Sequence, residues 1–406
     1  MRILFLHQNF PGQFKMLAPR LAAVPGNHVI GMGDARNIRN RPCPAGVDVV
    51  AYKSLPRQNL SSHHYVAGFE AAVRRGQDVA RACMALKARG FSPDVVVCHP
   101  AWGEALFIRD AYPEARLICY YEFFYHGEGA DVGFDPEYPA TLDDRLRVRI
   151  KNSVQLHALN EMDAGVSPTR WQRSRYPERL QARIDVIHEG FDLDVLSPRA
   201  DASFRLADGT VLTRRDKVLT YVSRNLEPYR GFHVFMRALP DLLERCADLR
   251  VVIVGGDEVS YGVRPAAPYA NYREQLLAEI GGRLAPARVS FMGRIPYADY
   301  ISLMQVSSLH VYLTYPFVLS WSMLEAMACG APVLASATAP VTEFIKDGRN
   351  GRLFDFFDRR ALIDTALAML ENPQDQLRRQ ARESVLSGFR FEEHALPRWR
   401  RLVEGG

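Results

Sequence analysis

Short apolar, β-branched runs alternate with longer stretches of helical periodicity along most of this chain. In the first half the runs are RILFLHQ (2–8), HVIGMG (28–33), VDVVAY (47–52), PDVVVCH (93–99), RLICYYE (116–122), DAGVS (163–167) and RIDVIHEG (183–190). A polar stretch, SPRADASFRLADGT (197–210), carries Pro198 and has no clear periodicity. The pattern then restarts with KVLTYVS (217–223), LRVVIVGG (249–256), ARVSFMG (287–293), LHVYLTY (309–315), APVLAS (331–336) and GRLFD (351–355). Strands alternating with helices predict parallel sheets covered on both faces. The break predicts two successive doubly wound α/β domains, 1–197 and 198–385, with a terminal helix within 386–406 packing back across the boundary. Ligands of open α/β sheets lie beyond the carboxyl ends of the strands, so two such domains facing each other would frame a deep cleft.

Length agrees, because 406 residues exceed what a single core of roughly 250 to 300 residues accommodates. With 48% hydrophobic and 24% charged residues the chain has the composition of a globular protein, and a net charge of +5 is slight for this length. That charge argues against a dedicated nucleic-acid binder. No apolar run reaches 18 residues and MRILFLHQN lacks a signal-peptide cleavage site, so a cytoplasmic location is expected. The six cysteines make no CxxC pair, and no metal-ligand spacing occurs, so no metal or other cofactor is expected. Cys98 beside His99 could be a ligand or nucleophile, but it closes an apolar strand and reads better as core.

The chemistry concentrates in the second half. In SRNLEPYRGFHVFMRALPDLL (223–243) Arg224 leaves a strand, Glu227-Pro228 makes a turn, and Arg230-Gly231 opens an amphipathic helix. Two guanidiniums at a strand end beside a helix N-terminus are a candidate diphosphate clamp; the alternative is surface charge. Gly255 and Gly256 end the next strand, where a ligand could approach the backbone closely, and VSFMGRIPY repeats the arrangement with Arg294. In TYPFVLSWSMLEAMACG (314–330) Ser320 is a candidate N-cap of a helix from Trp321 to Cys329, stopped by Gly330. Glu325 in this apolar helix needs a partner, since a buried carboxylate is costly. Ser322 and Glu325 stand three apart, as in a capping box, which would also account for it.

The ordered set SRNLEPYRG, VVIVGG, VSFMGRIPY, LSWSMLEAMACGAPVLAS and TEFIKDGRNGRLF resembles the carboxyl-terminal half of retaining GT-B glycosyltransferases of the family 4 type. The first half agrees more loosely, through FLHQNFPGQF, AGVSPTRWQRSRYP and IHEGFD. The resemblance implies transfer of a sugar from a nucleoside diphosphate donor to a hydroxyl of a glycan, lipid-linked or other acceptor. By it Arg224 and Arg230 match the basic pair on the donor diphosphate, and Glu325 matches the second acid of an E-x7-E pattern, which holds the ribose hydroxyls. Ser320, Trp321 and Ser322 then offer a helix N-terminus to the phosphates. The first acid is absent, because Phe317 stands at its position. Gly12 matches the glycine loop after the first strand.

In relatives a histidine ends the strand corresponding to 116–122; here strand length puts Glu122 there, with His126 a turn later, and both stay open for that role. The aromatic faces of Tyr120, Tyr121, Phe123 and Phe124 could stack on a sugar or pack as core, while Glu122, Glu128 and Asp131 could accept from hydroxyls. His99, Trp102 and Glu104 end a strand at the same edge and are comparable acceptor-side candidates. The basic run 169–183, with Arg170, Arg173, Arg175, Arg179 and Arg183, is a candidate contact for anionic lipid at the inner face of a membrane; the bland alternative is a solvated helix face. Two further readings remain, an epimerase or hydrolase on the same fold and a nucleotide-sugar-binding protein without catalysis.

Overall fold

The computed structural model describes residues 1–39, 41–53 and 63–405. The chain divides into two units, one built from Met1–Gly190 and Phe391–Gly406 and the other from Phe191–Arg390. The division falls after Gly190 because Leu193 and Leu196, downstream of it, belong to the core of the second unit, with Val218 and Met327.

Among the described residues of the first unit, seven strands form one parallel sheet. They are β1 (Arg2–Leu6), β2 (His28–Asp34), β3 (Asp48–Tyr52), β4 (Val95–Cys98), β5 (Arg116–Tyr120), β6 (Ala164–Ser167) and β7 (Ile184–Val186), in the order β3-β2-β1-β4-β5-β6-β7. Both faces are apolar because successive strand residues point to opposite sides. Leu4, Leu6, Val96 and Cys98 face Val79, Cys83 and Leu86 of the helix Ala67–Ala88. Ile3, Phe5, Val95 and Val97 face Phe14, Leu17, Trp399 and Leu402. Trp399 and Leu402 belong to the helix Leu396–Glu404, so this terminal segment completes the first sheet's second face.

The second unit opens with a hairpin, β8 (Ser203–Arg205) and β9 (Val211–Thr213), antiparallel about the turn at Asp208-Gly209. The polar stretch 197–210, the expected domain break, therefore holds one short strand and the turn into a second, and Phe204 and Leu212 of the pair join the core beside Ile301 and Met304. The main sheet has β10 (Val218–Asn225), β11 (Arg250–Gly256), β12 (Val289–Phe291), β13 (Leu309–Tyr312), β14 (Val333–Ser336) and β15 (Arg352–Phe354). Its order is β12-β11-β10-β13-β14-β15, all parallel, the doubly wound order whose reversal point lies between β10 and β13. In the first unit the reversal lies between β1 and β4. The carboxyl ends of the strands at a reversal are where ligands of such sheets bind, and some of the candidate residues lie there.

Candidate functional site

In the second unit β10 ends in Ser223, Arg224 and Asn225, with Arg224 exposed and its two neighbours buried. Arg230 does not open the following helix. It ends a short turn, Pro228–Arg230, and the helix Phe232–Arg245 begins only after Gly231 at φ 66°. A side chain at Gly231 would collide with Leu313, 2.4 Å from where its Cβ would stand, so only glycine lets the turn lie this close to the end of β13. Arg230 is buried, at 7% exposure. Its Nη1 donates to Thr314 Oγ1 at 2.8 Å and to the Val318 carbonyl at 2.9 Å. The rings of Tyr261 and Phe317 lie 5.5 and 5.8 Å from the guanidinium carbon. The surface-charge alternative therefore describes Arg224 but not Arg230.

Phe317, at the position of the absent acid, closes an aromatic group with Tyr261 (centroids 4.8 Å), Tyr229 (5.5 Å) and, through Tyr229, Tyr315 (4.9 Å). Gly255 has no room for a side chain, since its Cβ would stand 2.9 Å from the Ser223 carbonyl and 2.8 Å from Leu226. Gly256 is crossed by Arg294, whose Nε would lie 2.9 Å from such a Cβ. Arg294 is spent on internal partners, donating to Asn225 Oδ1 at 3.0 Å and Glu258 Oε2 at 2.5 Å.

Ser320 caps the helix Trp321–Ala328, its hydroxyl accepting from the Ser322 amide at 3.4 Å, and its own amide donates to the Tyr312 hydroxyl at 2.8 Å. Trp321 is half-buried and Ser322 buried. The capping-box account of Glu325 fails, because Ser322 is not the cap and the carboxylate turns toward another helix, Tyr297–Val306. Tyr297 donates to Oε1 at 2.7 Å and Tyr300 to Oε2 at 3.0 Å, and Glu325 is 4% exposed. Burial, then the adjacent carboxylate, pushes both phenols up, so they stay protonated donors. The two phenols fix the plane of the Glu325 carboxylate.

In the first unit four polar groups meet at the ends of β1, β4 and β5. His7, directly after β1, is buried, and the Asn9 amide donates to its Nδ1 at 2.9 Å. The neutral ring therefore carries its proton on Nε2, which donates to Gln13 Oε1 at 2.7 Å, and Gln13 Nε2 donates onward to Glu122 Oε1 at 2.8 Å. Burial, then the neighbouring His99, depresses His7 to a pKa of about 3. His99 lies flat on Trp102, with centroids 4.1 Å apart, and its Nε2 stands 3.6 Å from Glu122 Oε2, beyond hydrogen-bond length. Both His99 ring nitrogens are buried without a hydrogen-bond partner. Gly12, at φ 50°, lies over the His7 ring, where a Cβ would meet the imidazole at 2.4 Å.

The remaining first-half candidates lie elsewhere. Glu104 is fully buried, accepts from Tyr52 at 3.0 Å and stands 4.0 Å from Arg75, and burial raises its pKa. It is an internal pair, not a ligand group. Glu128 sits at the surface on Arg145 at 2.5 Å, and His126 is bonded to the Arg175 carbonyl at 2.7 Å. Tyr120, Tyr121 and Phe123 are buried core, which removes them as an exposed stacking platform. Cys98 is buried and its thiol is pushed well up by that burial, so it is no nucleophile. In the basic run, Arg183 donates to the carbonyls of Leu159 (3.3 Å) and Met162, and Arg175 covers Trp171 at 5.4 Å. Among the described residues no group of three His, Cys, Asp or Glu could hold a metal ion.

Two Rossmann-like domains, each with its polar residues at the switch point of a parallel sheet, define the GT-B class. Residues 25–196 match the family model described as glycosyl transferase family 4 group, and residues 208–385 match glycosyl transferases group 1. The chain belongs to these glycosyltransferases. Over 202 residues it is 31% identical to a D-inositol 3-phosphate glycosyltransferase of Mycobacterium sp. (strain JLS), covering 50% of this chain and 43% of that relative. A protein of the same name from Nocardioides sp. is 29% identical over 195 residues, or 47% and 42% of the two chains. The match thus spans less than half the length of these relatives. Among solved structures, sucrose-phosphate synthase from Thermosynechococcus elongatus superimposes with a TM-score of 0.72 at 17% identity. Anabaena HepE in complex with UDP and glucose does so at 0.68 and 16%, in both cases over 100% of each chain. These likenesses concern the fold.

Proposed function

We propose that the protein transfers a sugar, with retention of configuration, from a nucleoside diphosphate sugar to a hydroxyl of a glycan, lipid-linked or polyol acceptor. The observation that carries this reading is the pair of arginines at the switch point of the second unit, one exposed and one buried and braced by Thr314 and Val318. In the reaction the bond from the anomeric carbon to the diphosphate breaks, a bond to the acceptor oxygen forms on the same face, and the acceptor proton passes to the departing diphosphate. Negative charge grows on the leaving group, and Arg224 and Arg230 stabilise it as preset donors. Glu325, held in plane by Tyr297 and Tyr300, takes the ribose hydroxyls. Glu122 and His99, with Trp102, meet the acceptor, and no protein nucleophile or metal is used.

The names of the relatives make D-inositol 3-phosphate one acceptor to try, and HepE with UDP and glucose makes UDP-glucose one donor. The test is incubation of UDP-, GDP- and ADP-sugars with polyol phosphate, glycan and lipid-linked acceptors, with the product anomer read by NMR. Acceptor-dependent release of nucleoside diphosphate and a retained anomer are expected. Conversion of donor without acceptor would instead establish an epimerase or hydrolase, and binding without turnover a carrier. Peripheral contact with anionic lipid through 169–183 is a separate part of the proposal. Salt-sensitive flotation with anionic vesicles tests it, and no flotation would remove it.

A further inference from the structure

Glu227 was legible only as a turn residue, yet its carboxylate is fully buried and is the most densely served anion of the second unit's strand edge. The backbone amides of Ser260 (3.1 Å), Tyr261 (3.1 Å) and Gly262 (3.2 Å) all donate to it. Three successive amides turned toward one oxygen pair form a concave anion site in the loop after β11, and here the chain's own side chain fills it. Asn225 Nδ2 donates to Ser260 Oγ at 2.7 Å, a second tie between the end of β10 and that loop. At the same residue the Glu227 carbonyl accepts from the Arg230 amide at 3.1 Å, closing the turn that carries the arginine. Glu227 thus fixes the backbone of Arg230 and also the backbone of Tyr261, whose ring lies against the Arg230 guanidinium and 4.8 Å from Phe317.

We propose that Glu227 is a positioning residue: by pinning Ser260 to Gly262 it holds Tyr261 against Arg230 and so presets the guanidinium for the donor diphosphate. The effect on ligand rests on the function proposed above, whereas the pinning does not. With the loop released, Tyr261 leaves Arg230, the aromatic wall that Phe317 completes opens to water, and the guanidinium loses one side of its cage.

Two readouts test this on the full chain. Amide hydrogen exchange of residues 260–262 should be slow in the wild type, at least tenfold faster in Glu227→Ala, and intermediate in Glu227→Gln, which keeps one acceptor oxygen. Titration with UDP, GDP and ADP should show affinity for the preferred one reduced more than tenfold in Glu227→Ala and about equally in Tyr261→Leu, with 260–262 still protected in the latter. The double variant Glu227→Gln/Tyr261→Leu should bind no more weakly than Tyr261→Leu alone, because the glutamate acts through the tyrosine. A purely structural glutamate would add its own loss there, and additivity overturns the proposal. So does unchanged exchange at 260–262. If the wild type binds none of the three nucleotides, the function proposed above fails, and the exchange series alone decides the pinning. If Glu227→Ala does not fold, Glu227→Gln and the double variant carry the test.

Discussion

The two switch points of this molecule treat their polar groups in opposite ways. At β10 and β13 each buried charge is held in place by neutral partners. Arg230 is met by Thr314 and the Val318 carbonyl, Glu325 by two phenols, and Glu227 by three amides. At β1 and β4 a single chain runs from His7 through Gln13 to Glu122, and beside it His99 is buried with neither ring nitrogen bonded. The first edge is preset and needs no rearrangement to present charge, which suits a ligand of invariant chemistry such as a diphosphate and a ribose. The second holds His99, whose ring nitrogens lack hydrogen-bond partners, which suits an edge where the ligand varies and supplies them.

The comparison breaks first at Arg230. Its replacement by Ala should cut turnover about 10²- to 10³-fold, roughly 2.7 to 4 kcal/mol in the barrier. Nucleotide-sugar consumption by Arg230→Ala would show it, and an unimpaired variant would remove the arginine from the reaction. Next in size is Glu325→Ala. Tyr297 is 47% exposed and regains water, but Tyr300 is buried and loses its acceptor, so about 1 to 3 kcal/mol of stability should go in denaturant unfolding. Glu325→Gln, keeping one acceptor, should lose less.

The pH response sharpens the contrast further. Burial holds His7 at a pKa of about 3 and His310, inside the second unit, at about 4, both below the usual 6.5. Above pH 6.5 both are neutral folded or unfolded and contribute nothing to the pH dependence. As pH falls below 6.5 the unfolded chain takes up protons that the native state refuses. Stability should then drop from pH 6.5 down to about 4 for His310 and about 3 for His7, by about 1.4 kcal/mol per histidine at pH 5.5. Urea unfolding at pH 7.5 and 5.5 measures this, and His7→Asn should flatten the slope by about one proton. Smallest is Glu122→Gln: the new carbonyl still accepts from Gln13, so stability should change by less than about 0.5 kcal/mol, while KM for the acceptor rises.

How far the sequence reveals these edges depends on the range of the interactions. Strand periodicity is local, and every apolar run named in the sequence overlaps a strand of the two sheets. The hairpin at 203–213 escaped because each of its strands buries a single residue, Phe204 or Leu212, within a polar stretch, although Asp208-Gly209 was a turn signal. Arg230 stood in a recognisable motif, but its burial comes from Thr314 and Val318, 84 and 88 residues on. Tyr297 and Tyr300 reach Glu325 from another helix, which no spacing rule anticipates. His7 and Gln13 went unread although a titratable residue closing the first strand, just before a glycine loop, was the available signal. Glu104 was misplaced because a buried ion pair and a ligand carboxylate look alike at a strand end; only Arg75 and Tyr52 separate them.

The most direct measurement of the central claim is a thermal-shift series of UDP, GDP, ADP and TDP on the wild type and on Arg224→Ala and Arg230→Ala. One nucleotide at 100 times its dissociation constant should stabilise the wild type by about 2.7 kcal/mol and neither variant to that extent. A wild type indifferent to all four, or an Arg230→Ala variant stabilised as fully as the wild type, would contradict a preset diphosphate site at the end of β10.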